Sequence, residues 1–165
     1  MSELTHTLEA AATLAAPIAV ALPATCLAWQ AVVRIGVRAD MGQSPLGQRY
    51  LIPITGGVFW GAGDFANLRG QVLGGGADRQ LHRTDGVREL DALYEMQTDS
   101  GELLSIRNRV LIDDTPGTVR YALSHIQVTA PQGTWDLLNR RIFVGTLHPL
   151  AAQHGAVLVR AYLLG

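Results

Sequence analysis

Two neighbouring stretches gather side chains that could move a proton: "VRELDALYEMQ" (87–97), with Asp91, and "ELLSIRNRVLI" (102–112), with Arg107, Asn108 and Arg109. A carboxylate withdrawn from water has its pKa raised, which equips it to take or give a proton near neutrality. A guanidinium facing it can hold a substrate carboxylate or the oxygen of a developing enolate. Asp91 with Arg107 or Arg109 is therefore the expected catalytic set. The plain alternative is an ion pair between adjacent strands that only neutralises Asp91. His125, in "YALSHIQV", is the histidine best placed to be a second proton carrier, against the alternative of a wall histidine with its hydrogen bonds satisfied. The other histidines, His6, His82, His148 and His154, fall near the terminus or in turns.

Further candidates would contact a substrate. Asp78 follows three glycines in "LGGGAD" and is expected to accept backbone N–H bonds at a bend, or to face a ligand. Tyr94 offers a hydroxyl on an otherwise apolar parity, Asn108 an amide, and Phe59, Trp60 and Leu123 an apolar wall. No metal site is expected, because no two histidines have ligand spacing and Cys26 is the only cysteine. That single cysteine also excludes an intrachain disulfide, and it reads as a small buried apolar residue. No cofactor is expected either. "GGVFWGAG" and "GGGAD" are glycine-rich but do not lead from a strand into a helix, as a phosphate loop requires, and no nucleophile elbow of the GxSxG type is present.

These residues need a scaffold, and the chain spells strands. After Pro23 the pattern takes period two, with candidate strands at 27–39, 49–60, 67–73, 77–82, 87–98, 102–112, 118–129, 138–147 and 156–164. Between them lie "DMGQSPLG", "GAGD", "TDG", "DSG", "DDTPG", "APQG" and "LHPLAAQHG", dense in turn formers. The connections are too short for parallel crossovers, so neighbouring strands are expected to pair antiparallel. Eight or nine such strands close into a barrel or split into two layers. A closed barrel of about eight is just wide enough to enclose side chains or one small ligand. Gly74, Gly75 and Gly76 then read as a bend in the barrel wall. Alternation alone leaves open which parity faces the lumen.

The 165 residues suit one β-barrel domain, 27–165, preceded by an N-terminal extension, 1–26. Within the extension, 3–15 reads as a short amphipathic helix stopped by Pro17. No charge occurs between Ala10 and Val33, yet Glu3 and Glu9 precede the run and Pro17 and Pro23 interrupt it, which argues against an export signal or a membrane span. A cytoplasmic location is the expectation, with export as the alternative. Charged residues make up only 16% and the net charge is −1, so nothing in the charge balance calls for nucleic acid or an anionic membrane.

Five segments in order, "PITGGVFWG", "LRGQVLGGGAD", "DGVRELDALY", "TDSGELLSIRNR" and "LLNRRIFVG", resemble the domain-of-unknown-function family 3237, also called uncharacterised protein family 0311. The resemblance runs from about Gly42 to Leu164. It implies an antiparallel barrel of lipocalin-like or allene-oxide-cyclase-like shape and no established reaction. Asp78, Asp91, Thr98, Asp99, Gly101, Arg107, Asn108, Arg109 and Asn139 match the family pattern. Trp60 stands where a glutamate is common, "GDFA" (63–66) is inserted, and "YALSHIQVTA" replaces a segment whose arginine and glutamate would fall on Leu123 and Thr129. An expected tryptophan falls on Leu137, with Trp135 nearby. The departures imply a more apolar pocket, with Trp60 and His125 particular to this chain.

The leading reading is a small-molecule barrel enzyme that isomerises, cyclises or dehydrates an apolar or aromatic carbonyl or carboxylate compound by proton transfer in its lumen, without a cofactor. Two alternatives stay open: a carrier with the same cup and no proton-transfer pair, and a homo-oligomer module whose N-terminal helix packs on a neighbouring subunit.

Overall fold

In a computed structural model, which describes residues 7–165, the chain is a closed eight-stranded antiparallel β-barrel with one short N-terminal helix, α1 (Leu8–Ala15). The strands are β1 (Thr25–Ile35), β2 (Ala39–Ser44), β3 (Gly47–Gly61), β4 (Arg69–Val72), β5 (Ala77–Arg83), β6 (Arg88–Thr98), β7 (Leu103–Asp113), β8 (Tyr121–Thr129), β9 (Ile142–Pro149) and β10 (Ala156–Leu164). Each of β2 to β10 pairs antiparallel with a sequence neighbour, and β1 closes the ring by pairing with both β10 and β3. Ten strands make eight staves because two staves are broken. β1 and β2 share one flank of the long β3, and β4 and β5 share the other.

The break between β4 and β5 explains the glycine run. Five residue steps separate Val72 from Ala77, whereas their partners on β6, Met96 and Leu93, lie three apart. The surplus is bulged out at 73–76, with Gly75 at φ +108°. A Cβ on Gly76 would lie 2.6 Å from the Leu93 carbonyl oxygen and from Tyr94 Cβ. Only glycine lets the stave drop back against β6 there.

The other broken stave corrects the reading of "DMGQSPLG" as loop. Ala39–Ser44 pairs with β3 through a bulge between Asp40 and Gly42 and a tight turn before Gly47. Thr7 caps α1, accepting from the Ala10 N–H, and none of the helix's residues is buried. The expected helix began at residue 3, and residues 3–6 lie outside those described. Cys26, expected buried, is exposed near the start of β1.

The barrel interior is divided along its length. At one end Trp29, Phe143, Phe65, Met96, Leu104 and Leu138 pack into a continuous apolar plug, with Trp29 and Phe143 ring centroids 4.9 Å apart. Five of these six are at most 1% exposed and Phe65 is 7% exposed, and burying such side chains contributes about 1.5–3 kcal/mol each. Toward the other end the plug gives way to a smaller cluster of Leu90, Val110 and Ile112. Here the interior opens into a cavity of about 270 Å³. The barrel is a cup with a solid base.

Candidate active site

The inner wall of the cup is built in rungs by β5, β6, β7 and β8. The floor rung runs Asp78, Ala92, Asn108, Ile126; the middle rung Gln80, Leu90, Val110, Ser124; the rim rung His82, Arg88, Ile112, Ala122. Alternate residues of a strand share a face, so Asp78, Gln80 and His82 line up on β5 as Arg88, Leu90, Ala92 and Tyr94 do on β6. Ala92 stands between Asp78 and Asn108 and its methyl leaves both side chains free to reach the same cavity. Tyr94 lies below it, at the boundary with the plug.

Polar groups on this floor are short of partners. Asp78 Oδ1, Tyr94 OH and Asn108 Oδ1 are buried with no hydrogen-bond partner among the described residues, although all three residues line the cavity. An unpaired buried polar group costs about 1–3 kcal/mol, so three around one small cavity make it the candidate site. The second oxygen of Asp78 is held: Gln80 donates its Nε2 amide to Oδ2 at 2.6 Å. Gln80 Oε1 lies 3.2 Å from His82 Nε2. With Gln80 donating at one end, its oxygen accepts at the other, which assigns the His82 proton to Nε2.

Burial raises the Asp78 carboxyl above the ordinary aspartate range, with the nearby Asp91 charge adding to it, while the Gln80 amide and the Asp91 backbone N–H oppose the rise. Burial pushes the Tyr94 phenol up from its usual value, so it remains a protonated donor. His82 is shifted down, first by burial and then by the positive charges of Arg88 and Arg38.

The expected set on β6 and β7 has a different address. Asp91, Arg107 and Arg109 occupy the opposite parity, on the outer wall. Arg107 grips Asp91 with two hydrogen bonds, Nε to Oδ1 at 2.9 Å and Nη2 to Oδ2 at 2.7 Å, and Arg109 Nε lies 3.9 Å away. This holds the Asp91 carboxyl below its usual range, the Arg107 hydrogen bond being the chief cause. His125 is exposed beside Arg109 on the outer wall. The lumen arrangement expected for these four residues is corrected: the apolar parity of β6 and β7 is the one turned inward, because the lumen is walled mainly by hydrocarbon. Trp60 and Leu123 are also outside, 40% and 45% exposed. Phe59 is buried in the apolar core. Of the residues expected at the site, Asp78, Tyr94 and Asn108 line the cavity.

Sequence reasoning missed Gln80, His82, Arg88 and Arg120. The signal was present: in "ADRQLHR" Asp78, Gln80 and His82 share a parity, and Arg88 is in phase with Leu90, Ala92 and Tyr94. Among the described residues no three His, Cys, Asp or Glu side chains converge as a metal site would require. Among the described residues no helix is long and apolar enough to cross a membrane.

Comparison with known proteins agrees with this architecture. A UPF0311 protein from Rhodopseudomonas palustris is 40% identical over 75 residues, and one from Clostridium acetobutylicum is 42% identical over 69. These matches span 46% and 41% of this chain and the same shares of the relatives, so under half of each curated relative is matched. A crystal structure of a conserved protein of unknown function from R. palustris superposes with a TM-score of 0.77 at 25% identity, covering 88% of this chain and all of that one. A structure described as an enzyme from Penicillium herquei superposes with a TM-score of 0.69 at 20% identity, over 89% of this chain and 98% of that one, which shows a shared fold. The family described as "Protein of unknown function (DUF3237)" matches residues 23–164, nearly the whole barrel, and the chain belongs to it.

Proposed function

We propose that the cup is the active site of a cofactor-independent enzyme that isomerises, cyclises or dehydrates a small apolar or aromatic carbonyl compound by proton transfer, with Asp78 as the acid–base group. One observation carries this reading: a carboxyl of raised pKa, with one oxygen held by Gln80 and the other unpartnered, shares a small apolar cavity with a neutral phenol and an amide. Asp78 Oδ1 takes the proton from the carbon next to the carbonyl, and the C–H electron pair moves into an enolate. The Tyr94 O–H and the Asn108 amide N–H donate to the enolate oxygen, where charge develops. Asp78 returns the proton at another carbon, or to a leaving hydroxyl. The aliphatic wall of Val33, Ile54, Leu90 and Val159 orients the substrate's body and excludes water. The enzyme of the same fold from P. herquei is compatible with this reading.

The test is exchange of the α-protons of phenylacetone and phenylpyruvate in D2O, followed by NMR. The wild-type protein is expected to accelerate exchange over buffer, Asp78→Asn to remove the acceleration, and Asp91→Asn to keep it. Equal exchange by Asp78→Asn and the wild type overturns the assignment. Saturable binding of both compounds without exchange overturns catalysis and leaves the carrier.

A further inference from the structure

Two arginines stand at the rim of the cup, and the proton-transfer reading uses neither. Arg88 begins β6 on its inward parity, and Arg120, two residues before Ala122, precedes β8 on the same parity; both line the cavity. Asp114, in the loop after β7, pairs with both: with the Arg88 guanidinium through Oδ2, and with Arg120 Nε through Oδ1 at 3.1 Å. Arg120 also reaches the Leu147 carbonyl at 3.4 Å. The carboxylate of Asp114 is thus lodged between two guanidinium groups at the mouth of an apolar hollow.

Two cations share one anion, and Arg38, stacked over the Tyr50 ring at 4.3 Å, lies close enough to His82 to act on it together with Arg88. The other nearby carboxylates pair with neither arginine. Glu89 and Asp85 pair with Arg83, and Asp113 accepts from Thr115. The Arg88, Asp114 and Arg120 side chains are 34–40% exposed, and ion pairs this exposed add about 0–1 kcal/mol. Stability alone is a weak reason for them.

We propose that the rim is a carboxylate seat: Arg88 and Arg120 receive the carboxylate of a compact apolar monoacid whose body fills the cup, and Asp114 holds that place until the ligand displaces it. Two planar guanidinium groups suit a carboxylate. The geometry also orders the ligand. Arg88 is four residues from Ala92 on β6, about 13 Å at strand rise, so an acid seated at the rim directs its far end toward Asp78, Tyr94 and Asn108. The cavity of about 270 Å³ lies just under the range of about 300–1,000 Å³ usual for ligand pockets, and it limits the body to a compact one. This inference rests on the lumen being a ligand site and names the ligand's chemical class.

The experiment compares 4-phenylbutyrate with its neutral isostere 4-phenylbutyramide by calorimetric titration into the full chain at low salt. The acid is expected to bind about tenfold tighter than the amide, as a charge-assisted contact does, with the advantage shrinking as salt is added. Arg88→Gln and Arg120→Gln should each bring acid and amide close to parity. Asp114→Asn, which removes the competing carboxylate, should tighten the acid about threefold and leave the amide unchanged. Asp78→Asn, which abolishes proton exchange, should leave the acid-to-amide ratio intact, so the two readings fail separately. Equal binding of acid and amide, an advantage that survives both arginine substitutions, weaker acid binding by Asp114→Asn, or binding of neither compound overturns the seat. A single cooperative melting transition confirms that each variant folds.

Discussion

The two faces of β5, β6 and β7 are made by the same strands and differ in how their polar groups are treated. Outside, Asp91 is gripped by Arg107 and approached by Arg109, and Arg83 pairs with Asp85 and Glu89. Inside, one register step away, Asp78 Oδ1, Asn108 Oδ1 and Tyr94 OH have no partner among the described residues. Water on the outside can make good any missing bond, so pairing there is cheap and of small consequence. In the lumen only an enclosed water or a bound ligand can do so. The contrast teaches that a charged cluster by itself is weak evidence of a site, and that unsatisfied polar atoms in a hollow are stronger evidence.

The largest effect that would break this comparison is at Asp78. If Asp78 is the acid–base group, Asp78→Asn lowers proton-exchange activity by about 10²–10⁴-fold while increasing stability at neutral pH. The sign follows from the raised carboxyl. Below the ordinary value of 3.8 both folded and unfolded chains hold the proton, and the native state has its full stability. As pH rises through 3.8 the unfolded chain releases its proton first, and stability falls until the folded carboxyl also ionises. Melting temperatures of the two proteins should therefore diverge in favour of Asp78→Asn between pH 3 and pH 7. A gap that stays constant with pH contradicts the raised carboxyl.

A smaller effect is expected at Tyr94. Tyr94→Phe removes a hydroxyl that has no partner, so thermal stability should hold or rise, while exchange activity falls by about 10²-fold or more as an oxyanion donor is lost. Parallel losses of stability and activity would show the hydroxyl to be a structural contact. Smallest are the outer-face changes. Asp91→Asn should cost about 0–1 kcal/mol in urea denaturation and His125→Ala about 0.5 kcal/mol or less, with exchange unchanged for both. At Asp91 the carboxyl is depressed, so what little it contributes is present above its ordinary pKa and fades as pH falls below it. A loss of exchange in either variant would mean that the outer wall takes part in the chemistry.

The barrel was legible in the sequence because period-two segments with short turns leave few architectures, and the glycine run before Asp78 pointed to a bend. The direction of the strands' faces was not. Along β6, Glu89, Asp91 and Glu95 alternate with Leu90, Ala92, Tyr94 and Met96, and either set can line a polar or an apolar lumen. Chemistry-bearing residues point to the charged parity, whereas the closed ring buries the apolar one and admits few polar members, Asp78, Gln80, Asn108 and Tyr94 among them. The strand Ala39–Ser44 was hidden for a different reason: its composition is that of a loop, and it forms because β3 extends past the end of β1 and offers an unpaired edge. Arg120 precedes its strand, and its ion pair with Asp114 crosses a loop, which no local pattern announces.

The hydrocarbon base carries a kinetic implication. A vessel sealed at one end has a single doorway, so whatever enters must leave the way it came. On the proposed reading, a product that keeps its precursor's acid group and outline would compete for that doorway, and turnover would slow as product accumulates.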